Sequence, residues 1–405
     1  MQIERSVISL ALLGCFACGG PSPEFADWTI SVPEGVTVHE YPAVPSDERA
    51  DSRIDVVEDL VLGSDADPQR AFYRPQRVVP DADGNIYVLE QGNQRVQVFD
   101  ARGNYVRTLG GEGQGPGELA LPTELAVTAD RVVVRADRNR LNTWTLSGQH
   151  AGDVRLETDL AGLAGMDSGF VARREEWVGA LVLEAPPARR FTLARYESDG
   201  REASVYAAID QPPPPVLGYI GSRSEFFAGV LLQRGGVLPV FTERHAVSRD
   251  GTLYLTTSEE YQLHAYGGRR WALRVAWPRD PVTEQAVEIE MARLRVPEPL
   301  AGATADDLGF PERFKAIAGL QVDGHGHVYV FPFHPPLDAP QPPDIDRPRQ
   351  DRPVDVYSAD GEHLFSGLIS LGGWSGALGD FVYNARREPA TDEDEVVRFR
   401  LIEPF

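Results

Sequence analysis

The chain has 405 residues, of which 61 are acidic and 39 are Lys or Arg, so its formal net charge is −22. This balance argues against nucleic-acid binding, which depends on clustered Lys and Arg that neutralise phosphates, and against a polybasic membrane-binding surface. The chain is long enough to bury a large core, and its acidity favours solubility.

Residues 1–18 are predicted to be an export signal. Arg5 lies in a short polar start and precedes an apolar run at 7–13, which is too short to span a bilayer. The run ends in Leu-Leu-Gly-Cys15, which resembles the bacterial lipobox, where the peptide is cut before a cysteine that is then lipidated. Cys18 is the other candidate for lipidation, and an ordinary secretory signal is the alternative. The folded region therefore contains no cysteine for a disulfide or a metal site.

Residues 19–52 are predicted to be a tether followed by an N-terminal decoration or partial strand at 28–44. Residues 53–62 then form a strand pattern without a following turn partner. The strand at 53–62 must therefore find its pairing partner elsewhere in the chain.

Residues 75–122 predict a β-meander. Two short apolar strands, at 86–90 and 95–99, flank a turn-rich segment, and a third strand follows at 105–109. Weaker copies of the pattern recur, at about 122–156, 160–208, 243–277 and 317–369. A repeated meander is typical of the blades of a β-propeller.

The first repeat resembles the NHL-repeat type of propeller. The residues that carry the resemblance are Pro75, Asp83-Gly84-Asn85, and the segments 86–88, 93–99 and 113–119. The similarity is greatest to the six-bladed propeller lipoproteins of bacteria, most of which have no assigned activity. It implies an all-β, six-bladed propeller of the NHL or TolB-like kind.

The end of the chain predicts how the ring closes. Residues 379–402 supply only part of a blade, which the strand at 53–62 can complete, so that two sheet edges become buried. The propeller would then span 53–405, whereas seven blades would require further strands in 28–44 and 212–242. Residues 283–295 fit helical spacing, which predicts a short helix inserted between blades as a covering element.

Candidate ligand-binding residues lie just before the innermost strands, where the repeats align on their turns. They are Arg77, Glu124 and Arg244, with Gln76, Glu243 and His245 beside them. Because innermost strands line the channel of a propeller, these side chains could ring one channel mouth and bind a small polar or charged ligand. Charge pairing between blades, without a ligand, is the alternative interpretation.

The sequence predicts no metal site and no cofactor. His325 and His327 form an H-x-H pair, which suits a metal when it lies on a strand. The pair falls, however, where the other repeats have a surface turn. Phosphate-loop, nucleophile-elbow and H-E-x-x-H motifs do not occur in the sequence.

These observations predict a monomeric protein of the bacterial cell envelope, periplasmic or surface-exposed, held at the membrane only by lipid on Cys15 or Cys18. We expect a binding or scaffolding module for an envelope protein, a peptide or a glycan, and no nucleic-acid partner. The alternative is a metal-dependent hydrolase or lyase, lactonase-like, that uses the central channel and binds calcium or zinc.

Overall fold

The structure is a computed structural model. It describes the following residues, with side chains left aside in the strands between 170 and 211, at 244–247 and at 290–293: 25–63, 71–136, 140–155, 170–173, 176–182, 189–196, 199, 201–211, 244–247, 251–257, 259–267, 269–293, 312–334, 351–388 and 391–405. In this part of the chain, no helix has both the length and the apolar character that a bilayer crossing requires.

The N-terminal elements come first and are followed by three blades of four strands each. The N-terminal elements are β1 (Thr37–Pro42), α1 (Ser46–Ala50) and β2 (Arg53–Leu62). Blade I contains β3 (Pro75–Pro80), β4 (Ile86–Glu90), β5 (Arg95–Phe99) and β6 (Tyr105–Gly110). Blade II contains β7 (Glu124–Val127), β8 (Arg131–Ala136), β9 (Arg140–Thr145) and β10 (His150–Arg155). Blade III contains β11 (Phe170–Arg173), β12 (Glu176–Val182), β13 (Arg189–Tyr196) and β14 (Glu202–Gln211).

In the described residues after blade III, three more blades and one helix follow. Blade IV contains β15 (Arg244–Val247), β16 (Leu253–Thr256), β17 (Gln262–Tyr266) and β18 (Trp271–Ala276), and α2 (Glu284–Arg293) follows it. Blade V contains β19 (Ile317–Val322), β20 (Val328–Pro332), β21 (Arg352–Tyr357) and β22 (His363–Ile369). Blade VI contains β23 (Gly376–Leu378), β24 (Phe381–Arg387) and β25 (Asp394–Ile402).

The N-terminal strand β2 closes blade VI. It pairs antiparallel with β25, from Asp55 opposite Ile402 to Leu62 opposite Val396, and it is the outermost strand of the order β23-β24-β25-β2. Its first two residues also pair with the end of β22, which links blades V and VI. The predicted closure by the two chain ends is therefore confirmed, and both of these edges are paired.

The segment before β2 also joins the propeller. Strand β1 pairs parallel with β18, from Thr37 opposite Trp271 to Pro42 opposite Ala276, and it is the fifth strand of blade IV. The helix predicted at 283–295 is present as α2, where Ala286 packs with Phe314 and Phe333. Strand β1 therefore covers the edge of blade IV, and α2 packs on residues that flank β19 and β20.

One type of turn recurs in the hairpins. An Asp side chain accepts backbone N–H bonds and a glycine follows, and this fixes the position at which the chain reverses direction. The Asp81 carboxylate accepts hydrogen bonds from the backbone N–H groups of Asp83 and Asn85, each at 2.9 Å. Gly84 has φ 84°, a left-handed conformation that glycine adopts without a steric penalty. Asp100 begins the same turn in the outer hairpin of blade I.

The core is divided among the interfaces between neighbouring blades. Four buried clusters each take apolar residues from two adjacent sheets, so the blades concerned pack face to face with their neighbours. The clusters include Tyr87 and Trp144 (blades I and II), Tyr254 and Tyr357 (IV and V), Tyr329 and Val382 (V and VI), and Tyr383 and Val88 (VI and I).

Candidate functional site

Arg77 and Glu124 form an ion pair between the innermost strands of blades I and II. The guanidinium donates from Nε to Glu124 Oε2 at 3.0 Å and from Nη2 to Oε1 at 2.9 Å. Glu124 is 6% exposed, whereas the Arg77 side chain is 31% exposed. This two-bond geometry matches the planar fork of arginine to a carboxylate, so the two charges neutralise each other.

The structure describes the other predicted channel residues only in part. Gln76 is exposed beside Arg77, and its carbonyl accepts a bond of 3.4 Å from Arg77 Nη1. Arg244 and His245 lie on β15, for which the structure describes the backbone pairing, and Glu243 lies outside the described residues. A ring of these side chains around a ligand stays a prediction, and the Arg77–Glu124 contact agrees with charge pairing between blades.

At one end of blade I, exposed apolar side chains lie next to residues with left-handed backbone conformation. Arg74, Gln94 and Leu121 have φ values of 53°, 50° and 48°. Leu121 is 67% exposed and the neighbouring Tyr73 is 54% exposed. Because Pro75 pairs with Glu90, the start of β3 and the β4–β5 turn lie at one end of the sheet. We name Tyr73, Arg74, Gln94 and Leu121 the blade I loop surface.

The blade I loop surface is continuous. The N–H of Leu121 donates to Gln94 Oε1 at 3.3 Å, and the N–H of Gly92 donates to the Tyr73 carbonyl at 3.1 Å. The ring of Tyr73 lies directly over Gly92, where an added Cβ would be 2.2 Å from ring atom Cδ1. Tyr73 and Leu121 therefore flank the same turn, and glycine at position 92 permits the contact.

A fully buried carboxylate supports this loop surface. Glu90 has no solvent exposure, and it accepts bonds from the Tyr73 N–H (2.9 Å), Asn93 Nδ2 (2.6 Å), Arg95 Nε (2.6 Å) and Gln97 Nε2 (2.8 Å). With four donors on one buried carboxylate, this polar network holds the turn in one conformation. The N-x-R part of the repeat motif supplies two of these donors, although the sequence did not reveal their common acceptor.

A second group of chemically active side chains lies at the first hairpin turn of blade V. His327 Nδ1 is 2.9 Å from Asp323 Oδ2 and 3.6 Å from Glu403 Oε2, and one ligand atom from each residue lies within 4.8 Å of the others. The hydrogen bond with Asp323, followed by that with Glu403, raises the pKa of His327 to about 10. Burial raises the pKa of Asp323, which is 4% exposed.

The H-x-H pair does not act as a pair. His325 Nε2 lies 2.9 Å from Asp380 Oδ1, whereas His327 faces Asp323 and Glu403. The predicted surface turn is present, but sequence reasoning missed Glu403, because it comes from the distant C-terminal tail and belongs to no repeat.

Comparisons with known proteins agree with this architecture. A family model described as a 6-bladed beta-propeller matches residues 74–169. Among solved structures, a member of the DUF4221 family from Bacteroides vulgatus is 11% identical with a TM-score of 0.50, and the match covers 86% of this chain and 98% of that chain. A Bacteroides fragilis protein described as exported is 9% identical with a TM-score of 0.46, over 90% of this chain and 99% of that chain.

A PQQ-bound aldose sugar dehydrogenase from Streptomyces coelicolor is also similar, at 10% identity and a TM-score of 0.41, over 86% of this chain and 98% of that chain. A comparison with curated proteins finds no match. The family match and the closed ring of blades confirm the predicted six-bladed propeller. They show the fold alone, and the NHL-type repeat and the lipid anchor stay predictions.

Proposed function

We propose that this protein is a binding module of the bacterial cell envelope that contacts a protein or peptide partner through the blade I loop surface. The observation that carries the proposal is the coincidence of left-handed backbone and exposed apolar side chains at Leu121 and its neighbours. A left-handed conformation costs a non-glycine residue about 1–2 kcal/mol. Strain of this kind is concentrated at ligand-binding sites, where the surrounding structure maintains it.

The side chains of this surface suit a protein partner. Exposed Tyr73 and Leu121 offer apolar contact area, and the guanidinium of Arg74 lies 5.8 Å from the Tyr73 ring centre. Aromatic residues and arginine are enriched at the centres of protein interfaces. The rigid Glu90 network beneath them would reduce the entropy lost on binding.

The N-terminal segment supports an anchored orientation. The Thr29 N–H donates to Gln262 Oε1 at 2.9 Å, and Gln262 Nε2 donates to the Asp27 carbonyl at 2.6 Å. The guanidinium of Arg274 lies 4.9 Å and 5.2 Å from the ring centres of Phe25 and Trp28. These contacts fasten the start of the described chain to blade IV.

The length of the tether sets the reach of a lipid anchor. Between Phe25 and Cys15 or Cys18 the chain can extend about 25–35 Å, at roughly 3.5 Å for each residue. Anchoring through either cysteine would therefore hold blade IV near the membrane. Blade I lies opposite blade IV in a ring of six blades, so the blade I loop surface would lie on the far side of the ring from the anchor.

Site-specific photo-crosslinking tests the proposal. A photoreactive phenylalanine analogue placed at position 121 or 73 in living cells should give one discrete adduct with an envelope protein. The same analogue at Val57, an exposed apolar position on β2 that is 48% exposed, is the matched control and should not give it. An adduct of the same mass from all three positions, or from none, would contradict the proposal.

Membrane fractionation tests the proposed envelope location. The protein should fractionate with membranes, and replacement of both Cys15 and Cys18 by serine should release it into the soluble fraction. Single replacements identify the lipidated cysteine. An unchanged distribution of the double variant would contradict lipid anchoring.

A metal-dependent hydrolase or lyase is the second candidate, because Asp323, His327 and Glu403 bring metal-binding donor types together. A screen of lactones and esters with and without a chelator discriminates the two functions. Turnover that the chelator abolishes would favour the enzyme.

A further inference from the structure

We propose that Asp323, His327 and Glu403 bind one zinc ion, which fastens the C-terminal tail to blade V. His327 Nδ1 lies 2.9 Å from Asp323 Oδ2 and 3.6 Å from Glu403 Oε2. Tetrahedral zinc with bonds of about 2.0–2.2 Å separates its ligand atoms by about 3.3–3.5 Å. These two distances differ from that separation by about 0.6 Å or less, and all three ligand atoms lie within 4.8 Å of one another.

The ligand atoms are oriented by their own hydrogen bonds. Asp323 Oδ1 accepts the backbone N–H groups of His325 and His327, each at 2.8 Å, which leaves Oδ2 for the ion. The hydroxyl of Tyr329 donates to Glu403 Oε1, so Oε2 faces His327. Outer hydrogen bonds of this kind are characteristic of zinc centres.

The corresponding turn of blade I shows that a turn of this type forms without a histidine. There Asn85 occupies the position of His327, and its Nδ2 donates to Asp81 Oδ2 at 2.8 Å. The hydroxyl of Tyr87 donates to the same oxygen at 3.2 Å, so the turn is complete without an imidazole. In blade V a histidine replaces the asparagine, and the equivalent tyrosine, Tyr329, bonds to Glu403 instead.

The charges and donor types select a transition metal. Asp323 and Glu403 have side chains only 1% and 17% exposed, so a divalent cation would neutralise two poorly hydrated carboxylates. One imidazole nitrogen with carboxylate oxygens suits zinc better than calcium or magnesium, which prefer oxygen ligands. Binding would displace the Nδ1 proton of His327 to solvent, and water would complete the coordination.

The site has a structural consequence, because its ligands come from two parts of the ring. Asp323 and His327 belong to blade V, whereas Glu403 follows the strand that pairs with β2. The C-terminal Phe405 packs against His327 and Phe365, with ring centres 5.6 Å apart in each case. Zinc would therefore stabilise the seated tail and, with it, the closure of the propeller.

Zinc titration of the folded chain tests this proposal. The full chain with Cys15 and Cys18 replaced by serine is freed of metal with a chelator, exchanged into chelator-free buffer, and titrated with zinc chloride in a calorimeter. We expect one zinc ion for each chain and a higher melting temperature in its presence. Without one-to-one uptake the proposal is wrong.

Two histidine variants make the test specific. His327→Asn reproduces the turn of blade I, so it should fold normally while zinc affinity falls at least 100-fold and the zinc-dependent rise in melting temperature disappears. His325→Asn is the matched control, because His325 contacts Asp380 instead, and it should bind zinc like the parent. Equal zinc affinity of His327→Asn and the parent would overturn the assignment.

A third variant covers the case in which His327→Asn does not fold. Glu403→Gln keeps an acceptor for the Tyr329 hydroxyl but removes the charge, and circular dichroism without zinc would verify its fold. Its zinc affinity should fall at least 10-fold. Parent-like affinity of this variant would also overturn the proposal.

Discussion

Arg49 and Asp355 form an ion pair inside the protein, with Arg49 Nη1 2.7 Å from Asp355 Oδ1 and side chains only 4% and 2% exposed. Arg49 belongs to the short helix α1 that precedes the closing strand, and Asp355 lies on β21 of blade V. The hydroxyl of Tyr261 donates to the other carboxylate oxygen at 2.6 Å. The pair therefore joins the N-terminal segment to blades IV and V.

We predict that Arg49→Met lowers the free energy of unfolding by about 3–5 kcal/mol, because it leaves the buried Asp355 charge without its cation. Urea denaturation measures the change. Arg53→Met is the matched control: Arg53 pairs with Asp351 at 2.5 Å, with side chains 52% and 28% exposed. Exposed pairs contribute at most about 1 kcal/mol. Equal losses in the two variants would contradict the prediction.

Arg49 also illustrates what the sequence could and could not predict. The strand at 53–62 was predictable, because its apolar residues and the unfinished last blade required each other. The burial of Arg49 was not, because its partner Asp355 lies in a distant blade and neither residue belongs to a local motif. For the same reason the repeats predicted the turn at His327 but not the approach of Glu403.

One polar position recurs in the third strand of the blades. Gln97, Asn142, His264 and Asp355 lie opposite Val88, Val134, Leu255 and Val330, at matching registers in blades I, II, IV and V. All four side chains are at most 2% exposed. The repeat therefore places a buried polar group at one site in each of these four sheets, and the blades differ in how far its hydrogen bonds are satisfied.

Asn142 has no compensating contact among the described residues, since neither its Oδ1 nor its Nδ2 has a hydrogen-bond partner. We predict that Asn142→Leu, which has a similar volume, raises the free energy of unfolding by about 1–3 kcal/mol. Gln97→Leu is the control and should be destabilising, because Gln97 Nε2 donates to the buried Glu90 at 2.8 Å. A destabilised Asn142→Leu would show that this amide is satisfied.

His264 should make the stability depend on pH. Burial lowers its pKa to about 4 from 6.5, and its Nε2 has no hydrogen-bond partner in the part of the chain that is described. Because the unfolded chain binds the proton below pH 6.5 and the folded chain only below about 4, stability is fully present above pH 6.5. It is lost as the pH falls through this window, by about 3 kcal/mol.

Urea denaturation at pH 7.5 and pH 4.5 measures this loss. His264→Gln, which introduces the residue that blade I has at this position, should show a smaller decrease between the two values. An identical decrease in parent and variant would show that other groups account for it.

The Arg77–Glu124 pair provides a fourth prediction. Arg77→Ala leaves the buried Glu124 carboxylate without its two donors, so we expect a loss of about 1–3 kcal/mol of unfolding free energy. Arg77→Lys keeps the charge but not the two-bond fork, and its loss should be intermediate. If both variants are as stable as the parent by urea denaturation, the pair has no structural role, and its availability for a channel ligand becomes the better interpretation.

Under the proposed function, replacement of Leu121 should raise the stability of the protein but weaken the binding of its partner. Leu121→Asn should raise the melting temperature slightly, because asparagine tolerates the left-handed φ of 48° better than leucine does. We expect the free energy of unfolding to rise by about 0.5–1 kcal/mol. The same variant should weaken the photo-adduct formed from position 73, since it removes a side chain that is 67% exposed. Val106→Asn is the control, because Val106 is an exposed apolar residue on the outer strand β6, and its adduct should be unchanged. An adduct that survives Leu121→Asn would show that the strained leucine has no part in recognition.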